Sequence, residues 1–262
     1  MTRAGRRYPP AMIPWHAIDT VFLDAGNTLV SIDFDRVAAE LAELGHACEA
    51  SALRRAEAAA RPAVSRFVGE RRSTETEDTF HFYVRALLRG LPALARLDDP
   101  ALAATAGELA SRLRSPGHSH RLWCWVLPGV REALAELREL GLELLVVSNS
   151  DGTIERGLCE LGLRPYFSAV VDSAFVGFEK PDPRIFEHAL GRAETAASRT
   201  IHVGDLYHAD VMGARAAGVH PVLLDPFSDW EGVDCERVED LGHLARHFRA
   251  ARARTRGGAS RG

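Results

Sequence analysis

The chain has 262 residues, of which 46% are hydrophobic and 26% charged, with a formal net charge of −4. That length accommodates one large domain or a core domain with an insertion, and the near-neutral balance gives no global drive toward nucleic acid or a membrane surface. No run approaches the length of a membrane span, and Cys48, Cys124, Cys159 and Cys235 are too scattered for a zinc site or a disulfide framework, which points to reduced thiols in a cytoplasmic protein.

Arg3, Arg6 and Arg7 open the chain, and residues 1–15 read as a solvated basic tail whose proline-rich segment is too short for a signal-peptide core. Thr20–Leu23 is the first continuous apolar run. From 32 to 121 the composition is rich in Ala, Arg, Leu and Glu at helical spacing, with helices expected at 36–44, 51–67, 77–88 and 100–113. Ninety residues without a strand signal predict a small helical bundle, connected through hinges at 30–33 and 123–128. Beyond it, strands are expected at 142–147, 169–171, 200–203 and 221–224, alternating with helices at 130–140, 153–161, 183–190 and 209–217. The runs are continuous rather than alternating, as for strands covered on both faces, and the strand–helix rhythm predicts an open α/β parallel sheet with right-handed crossovers. No acidic residue follows Asp240 while six arginines do, so 249–262 reads as a second basic tail.

In open α/β sheets ligands gather at the carboxyl ends of the strands. The first strand ends in Asp24-Ala25-Gly26-Asn27-Thr28, the second in Ser148-Asn149, and the fourth in Gly204-Asp205 with Asp210 five residues on. Lys180-Pro181 follows the third, and Lys180 is the only lysine among the 32 Lys and Arg residues. A compact ammonium on a flexible stem is a different tool from a planar guanidinium fork. Taken singly, each fragment is an ordinary helix cap or turn; as an ordered set at one sheet edge they form a constellation. Asp24, Asp205 and Asp210 would crowd together and repel, which a hard divalent cation with oxygen ligands, Mg²⁺, resolves. Asp24 could then attack phosphorus, with Ser148, the Asn149 amide and Lys180 holding the phosphoryl oxygens.

Asp24-x-x-x-Thr28, Ser148-Asn149, Lys180-Pro181 and Gly204-Asp205-x-x-x-x-Asp210 resemble the four motifs of the haloacid dehalogenase-like hydrolase superfamily, over about residues 18 to 226. The resemblance implies a Rossmann-like α/β core (16–31 and 124–248) with an alpha-helical cap (32–123) inserted between its first and second strands. It also implies a phosphatase in which Asp24 is the nucleophile, oriented by Thr28. Mg²⁺ would be bound by Asp24, the Gly26 carbonyl and Asp205. Ser148, Asn149 and Lys180 would contact phosphate, and Asp210 would support Lys180 or a metal-bound water. The expected ligand is a small phosphorylated metabolite.

One position departs from that pattern. The family's phosphatases carry a second Asp two residues after the nucleophile as general acid and base, and here that residue is Gly26. Its absence predicts slow turnover, a substrate with a good leaving group, or a substitute acid, for which His208 and Asp151 are the candidates nearest the motifs. The competing reading is a phospho-ligand-binding or scaffolding protein. A phosphomutase needs the missing acid, a phosphonate hydrolase needs a cap lysine that this chain lacks, and a haloacid dehalogenase fits poorly with the metal-ligand character of Gly204-Asp205. In the cap, Phe80, His81, Phe82 and Tyr83 read mainly as core, and Arg66, Arg71, Arg72 and Arg85 as a solvated face.

Overall fold

The computed structural model describes residues 12–70, 73–114 and 117–259, with side chains as far as 253. Residues 1–11 and 260–262 of the expected tails, and Arg71 and Arg72, lie outside them.

The apolar run Thr20–Leu23 forms β1, every residue of it buried. The short strand β2 (Val30–Ile32) then leads into four helices, α1 (Phe34–Glu43), α2 (Ala50–Gly69), α3 (Glu77–Arg89) and α4 (Asp99–Leu113), and the chain returns through β3 (Trp123–Val126). Asp33, Thr76 and Asp98 cap three of these helices by accepting from the amides of Arg36, Thr79 and Ala101, which satisfies donors a helix start leaves free. The helices bury a core of their own, including Leu41, Leu53, Leu88 and Leu109. The two expected hinges differ from plain linkers: β2 and β3 pair antiparallel, so the insertion is tied to the rest of the fold by a two-stranded ribbon.

The remaining chain alternates α5 (Val130–Glu139), β4 (Glu143–Ser148), α6 (Ile154–Glu160), β5 (Ala169–Asp172), the single-turn α7 (Ser173–Val176), α8 (Pro183–Arg192) and β6 (Thr200–Gly204). A π-helical turn, Tyr207–Val211, runs into α9 (Met212–Ala216), followed by β7 (His220–Leu224), β8 (Glu236–Val238) and α10 (Leu241–Ala259). Six parallel strands form one sheet in the order β5-β4-β1-β6-β7-β8. The five expected strands are all present, and β8 is an addition: it is three residues long and only Val238 is buried. Leu23 pairs with Val146 of β4 on one side and Val203 of β6 on the other. Strand order reverses about β1, so Asp24 leaves the sheet at a topological switch point.

Two boundaries move relative to expectation. Ile13 is buried, and Trp15 stacks on His247 at 4.9 Å and meets Phe248 edge-on, so the chain packs onto α10 before residue 16. At the other end α10 continues as helix to Ala259, across the stretch read as tail from 249.

Candidate active site

Asp24 is the first residue beyond β1, and its amide donates to the Val203 carbonyl at 2.9 Å, which anchors it between β1 and β6. The turn that follows is tight: Asn27 adopts φ 52°, its amide donates to the Val30 carbonyl, and its side chain accepts from the Ser31 hydroxyl at 2.7 Å. Thr28 is buried within this turn, its Oγ1 has no hydrogen-bond partner, and the residue does not line the cavity.

Lys180 joins the halves of the site. Its Nζ donates to Asp24 Oδ1 at 2.6 Å and to Asp210 Oδ1 at 2.7 Å, with all three side chains buried. Its backbone is clamped by Asn149, whose side chain accepts from the Lys180 amide at 2.7 Å and donates to its carbonyl at 3.0 Å. Asn149 also donates to Thr74 Oγ1 of the helical insertion at 2.9 Å. Ser148, buried at the end of β4, donates to the Asn149 carbonyl at 3.2 Å.

Asp210 is held by three donors: Lys180, His202 Nε2 at 2.9 Å on the same oxygen, and the Leu206 amide at 2.9 Å on the other. Burial alone would raise its pKa, but Lys180 and His202 hold it well below the carboxylate range. His202, fully buried edge-on to Phe186, is itself pushed down by desolvation and stays neutral. Its Nε2–H therefore donates to Asp210 and its unpartnered Nδ1 carries the lone pair. Asp205 is the opposite case. Desolvation raises it well above the usual range, and its Oδ2 has no hydrogen-bond partner. Asp24 is raised as well, by burial first, against the pull of Lys180.

Asp24, Asp205 and Asp210 each present an oxygen within 4.8 Å of the others, all buried. Hard carboxylate oxygens at that spacing, one of them orphaned, fit a divalent cation such as Mg²⁺. These residues, with Gly26, Ser148, Asn149 and Lys180, line one cavity of about 280 Å³ between the sheet edge and the helical insertion. Phe80 and Tyr83 line it too, whereas Phe82 stacks on Phe67 at 4.0 Å and His81 faces Glu77.

Four residues that the motifs do not include are part of the site. Arg61 of α2 is buried, held by Glu57 at 2.7–3.2 Å, with Nε 3.5 Å from Asp205 Oδ2. Trp123 of β3 covers Gly26: a Cβ there would lie 3.5 Å from the indole. His120 and His202 complete the set. A charged pair at Glu57 and Arg61, on the same helical stripe as Leu53, Val64 and Val68, is the sequence signal for the first.

Neither candidate for a substitute acid is free. Asp151 accepts from Ser119 Oγ at 2.7 Å, Thr153 Oγ1 at 2.6 Å and the Ser119 amide at 3.4 Å; burial would raise it, but these bonds lower it. His208 packs its ring over Gly69 and pairs with Ser65 at 3.1 Å, and burial lowers it.

Residues 18–218 match the family described as haloacid dehalogenase-like hydrolase. Haloacid dehalogenase-like hydrolase domain-containing protein 3 of Mus musculus is 41% identical over 138 residues, 52% of this chain and 51% of that protein. The ribulose-1,5-bisphosphate 5-phosphatase of Halopiger xanaduensis is 36% identical over 110 residues, 42% of this chain and 46% of that protein. The chain thus spans about half the length of the curated relatives it matches. Among solved structures, a HAD phosphatase from Thermococcus onnurineus superposes with a TM-score of 0.53 at 22% identity, covering 87% of this chain and 97% of that one, a likeness of fold.

Proposed function

The chain belongs to the haloacid dehalogenase-like hydrolase family, and we propose that it is a Mg²⁺-dependent phosphatase acting on a small phosphate ester through an aspartyl-phosphate at Asp24. One observation carries this reading: Lys180 Nζ bridges Asp24 and Asp210 at 2.6 and 2.7 Å, beside a buried cluster of three carboxylates. Four buried carboxylates, Asp24, Asp205, Asp210 and Glu57, face two basic side chains, Lys180 and Arg61, which leaves negative charge that a further cation or a proton offsets.

In this mechanism the Asp24 carboxylate attacks phosphorus while Lys180, Ser148 and the Asn149 backbone amide hold the phosphoryl oxygens. The Asn149 side chain keeps the Lys180 backbone in register. Asp210 and neutral His202 fix the ammonium from behind. Asp24, the Gly26 carbonyl and Asp205 would hold Mg²⁺, with Asp210 at the edge of the same cluster. The bound ion supplies charge neutralisation for the carboxylates and the phosphoryl group. The cavity volume and the Halopiger relative's name both support a small phosphorylated metabolite. The net charge of −4 argues against nucleic acid. The four cysteines are unpaired, in keeping with a cytoplasmic setting, and no described helix is long and apolar enough to cross a membrane.

A second reading, a phospho-ligand-binding protein of low turnover, is favoured by the Trp123 indole lying over Gly26, where an acid would otherwise stand. A panel of small phosphate esters assayed with and without Mg²⁺ separates the two. Turnover that survives Asp24→Asn rules out the first; efficient, Asp24-dependent turnover of a physiological ester rules out the second.

A further inference from the structure

The cavity has a second chemical feature besides the Lys180 cluster. The loop between α2 and α3 contributes Glu75, and the loop after β4 contributes Asp151. Thr74 links this wall to the site: its hydroxyl accepts from Asn149 Nδ2 at 2.9 Å and donates to Glu75 Oε1 at 3.1 Å. Two hydrogen bonds therefore separate the Glu75 carboxyl from the Asn149 side chain that clamps Lys180.

Glu75 is exposed as a residue, at the rim of the cavity, but its carboxyl stands in carboxylate company. Desolvation, with Glu179, Asp151 and Asp172 adding to it, raises it to about 7 against the bond from Thr74. Asp151 stays ionised on its bonds to Ser119 and Thr153. Arg114 lines the cavity too, and it is paired with Glu77 at 3.1 Å. Like charges brought together in this way favour a cation among them. The neighbouring wall is aromatic. Phe80, Tyr83 and Trp123 all line the cavity, with successive ring centroids 6.3 and 5.9 Å apart, and aromatic faces attract an ammonium group.

A raised carboxyl also suits a proton donor, but a donor must reach the ester oxygen, which stands beside the phosphorus that Asp24 attacks. The carboxylates that act most on Glu75 are Glu179, Asp151 and Asp172, not Asp24. Its place is thus beyond the reacting atoms, against the far part of the leaving group.

We propose that Glu75 is a specificity-determining residue that pairs with an ammonium group on the leaving group, so that the substrates are phosphate esters of amino alcohols. This rests on the phosphatase reading above and names the substrate class of that same cavity. The phosphoryl group meets Lys180, Ser148 and Asn149, the alkyl stem lies along the aromatic wall, and the ammonium meets Glu75 with Asp151 behind it.

The test is kcat/KM with Mg²⁺ for aminoethyl phosphate against propyl phosphate, and for aminopropyl phosphate against butyl phosphate. Within each pair a terminal ammonium replaces a methyl group. In Glu75→Gln the amine-to-alkyl ratio should fall by about tenfold or more, the scale of one charge-assisted hydrogen bond. Comparing the ratio between variants cancels the intrinsic reactivity of the esters. In the wild type the ratio should rise about tenfold from pH 6 to pH 8, as Glu75 ionises while the amine stays protonated, and Glu75→Gln should flatten that rise. An unchanged ratio in Glu75→Gln for both pairs overturns the proposal, and so does a wild-type ratio that does not rise with pH. If the unchanged ratio comes with equal losses on amine and alkyl esters while p-nitrophenyl phosphate is spared, Glu75 is a proton donor instead. Asp24-dependent turnover without discrimination for the amine leaves the phosphatase reading standing while removing this one. If no ester is turned over, the phosphatase reading fails, and calorimetric titration of the wild type and Glu75→Gln with the same esters reads the ratio as affinities; equal affinities then remove this proposal as well.

Discussion

Lys180 Nζ lies 2.6 Å from Asp24 Oδ1, which ties the chain's one lysine to its expected nucleophile across 156 residues. Both groups are buried, and the same nitrogen serves Asp210 at 2.7 Å. A guanidinium is wider and its donors are fixed in a plane, so Lys180→Arg cannot meet the two oxygens from one point. Its kcat should fall by more than about 10²-fold, within the range seen when a charge stabiliser is removed. Lys180→Met leaves two carboxylates buried without their cation and should cost about 3–5 kcal/mol in denaturant unfolding. Wild-type stability in the Met variant would mean that the ammonium contributes little to the fold.

The carboxylates of the site titrate in opposite senses, and this gives a pH signature. Asp210 is depressed, so its contribution to stability is present above about pH 4 and is lost as pH falls toward its folded pKa. Asp205 is raised by burial, so its contribution is full below about pH 4 and is lost as pH rises through the folded value. A cation that binds deprotonated oxygens offsets that loss and competes with the proton. Mg²⁺ at a hundredfold excess over its Kd should therefore raise Tm by about 5–10 °C at pH 8 and by much less at pH 5. Thermal melts of the wild type and Asp205→Asn check this. A shift that is independent of pH, or that persists in Asp205→Asn, would mean the ion binds elsewhere.

Gly26→Asp asks whether the missing carboxyl alone limits turnover. A Cβ at Gly26 meets Trp123 at 3.5 and 3.7 Å and Asp24 Oδ2 at 3.9 Å, which is ordinary contact, so the backbone accepts the substitution. The added carboxyl stands beside the phosphoryl site and should raise kcat/KM for alkyl phosphates by about 10²-fold or more. p-Nitrophenyl phosphate, whose leaving group needs no proton, should change far less. The ratio of the two esters is the measurement, and an unchanged ratio would show that the new carboxyl does not reach the leaving group.

Much of this architecture is legible in the residues. Five of the six sheet strands are continuous apolar runs, and the strand-end residues Asp24, Ser148, Lys180 and Asp205 need only the α/β rule to be placed along one edge. β8 is not legible, because Glu236-Arg237-Val238 buries one side chain and has no period to detect. β2 and β3 are similarly short, and their pairing depends on contacts between positions about 95 residues apart. Arg61 and Trp123 elude a motif reading for another reason. They reach the site from the insertion and its ribbon, so their part depends on how those elements seat over the sheet.

Asp151 lines the cavity in the loop after β4, and its position suits a proton donor. Its bonds argue otherwise. One oxygen accepts from Ser119 Oγ and Thr153 Oγ1 at 2.7 and 2.6 Å, and the lowered pKa keeps the group ionised and unable to donate near neutrality. Ser119 lies in the segment returning from the insertion, so these bonds pin the returning chain to the loop after β4. Asp151→Asn keeps the size but weakens the charge-assisted bonds. It should cost about 1–2 kcal/mol of stability and change kcat by less than tenfold, against about 10²–10⁴-fold for loss of a general acid. His208→Ala should behave likewise, because its imidazole fills the space over Gly69 and bonds Ser65 of α2. Urea unfolding and steady-state kinetics on both variants give the comparison. A hundredfold loss of kcat at unchanged stability in either one would assign that residue to the chemistry.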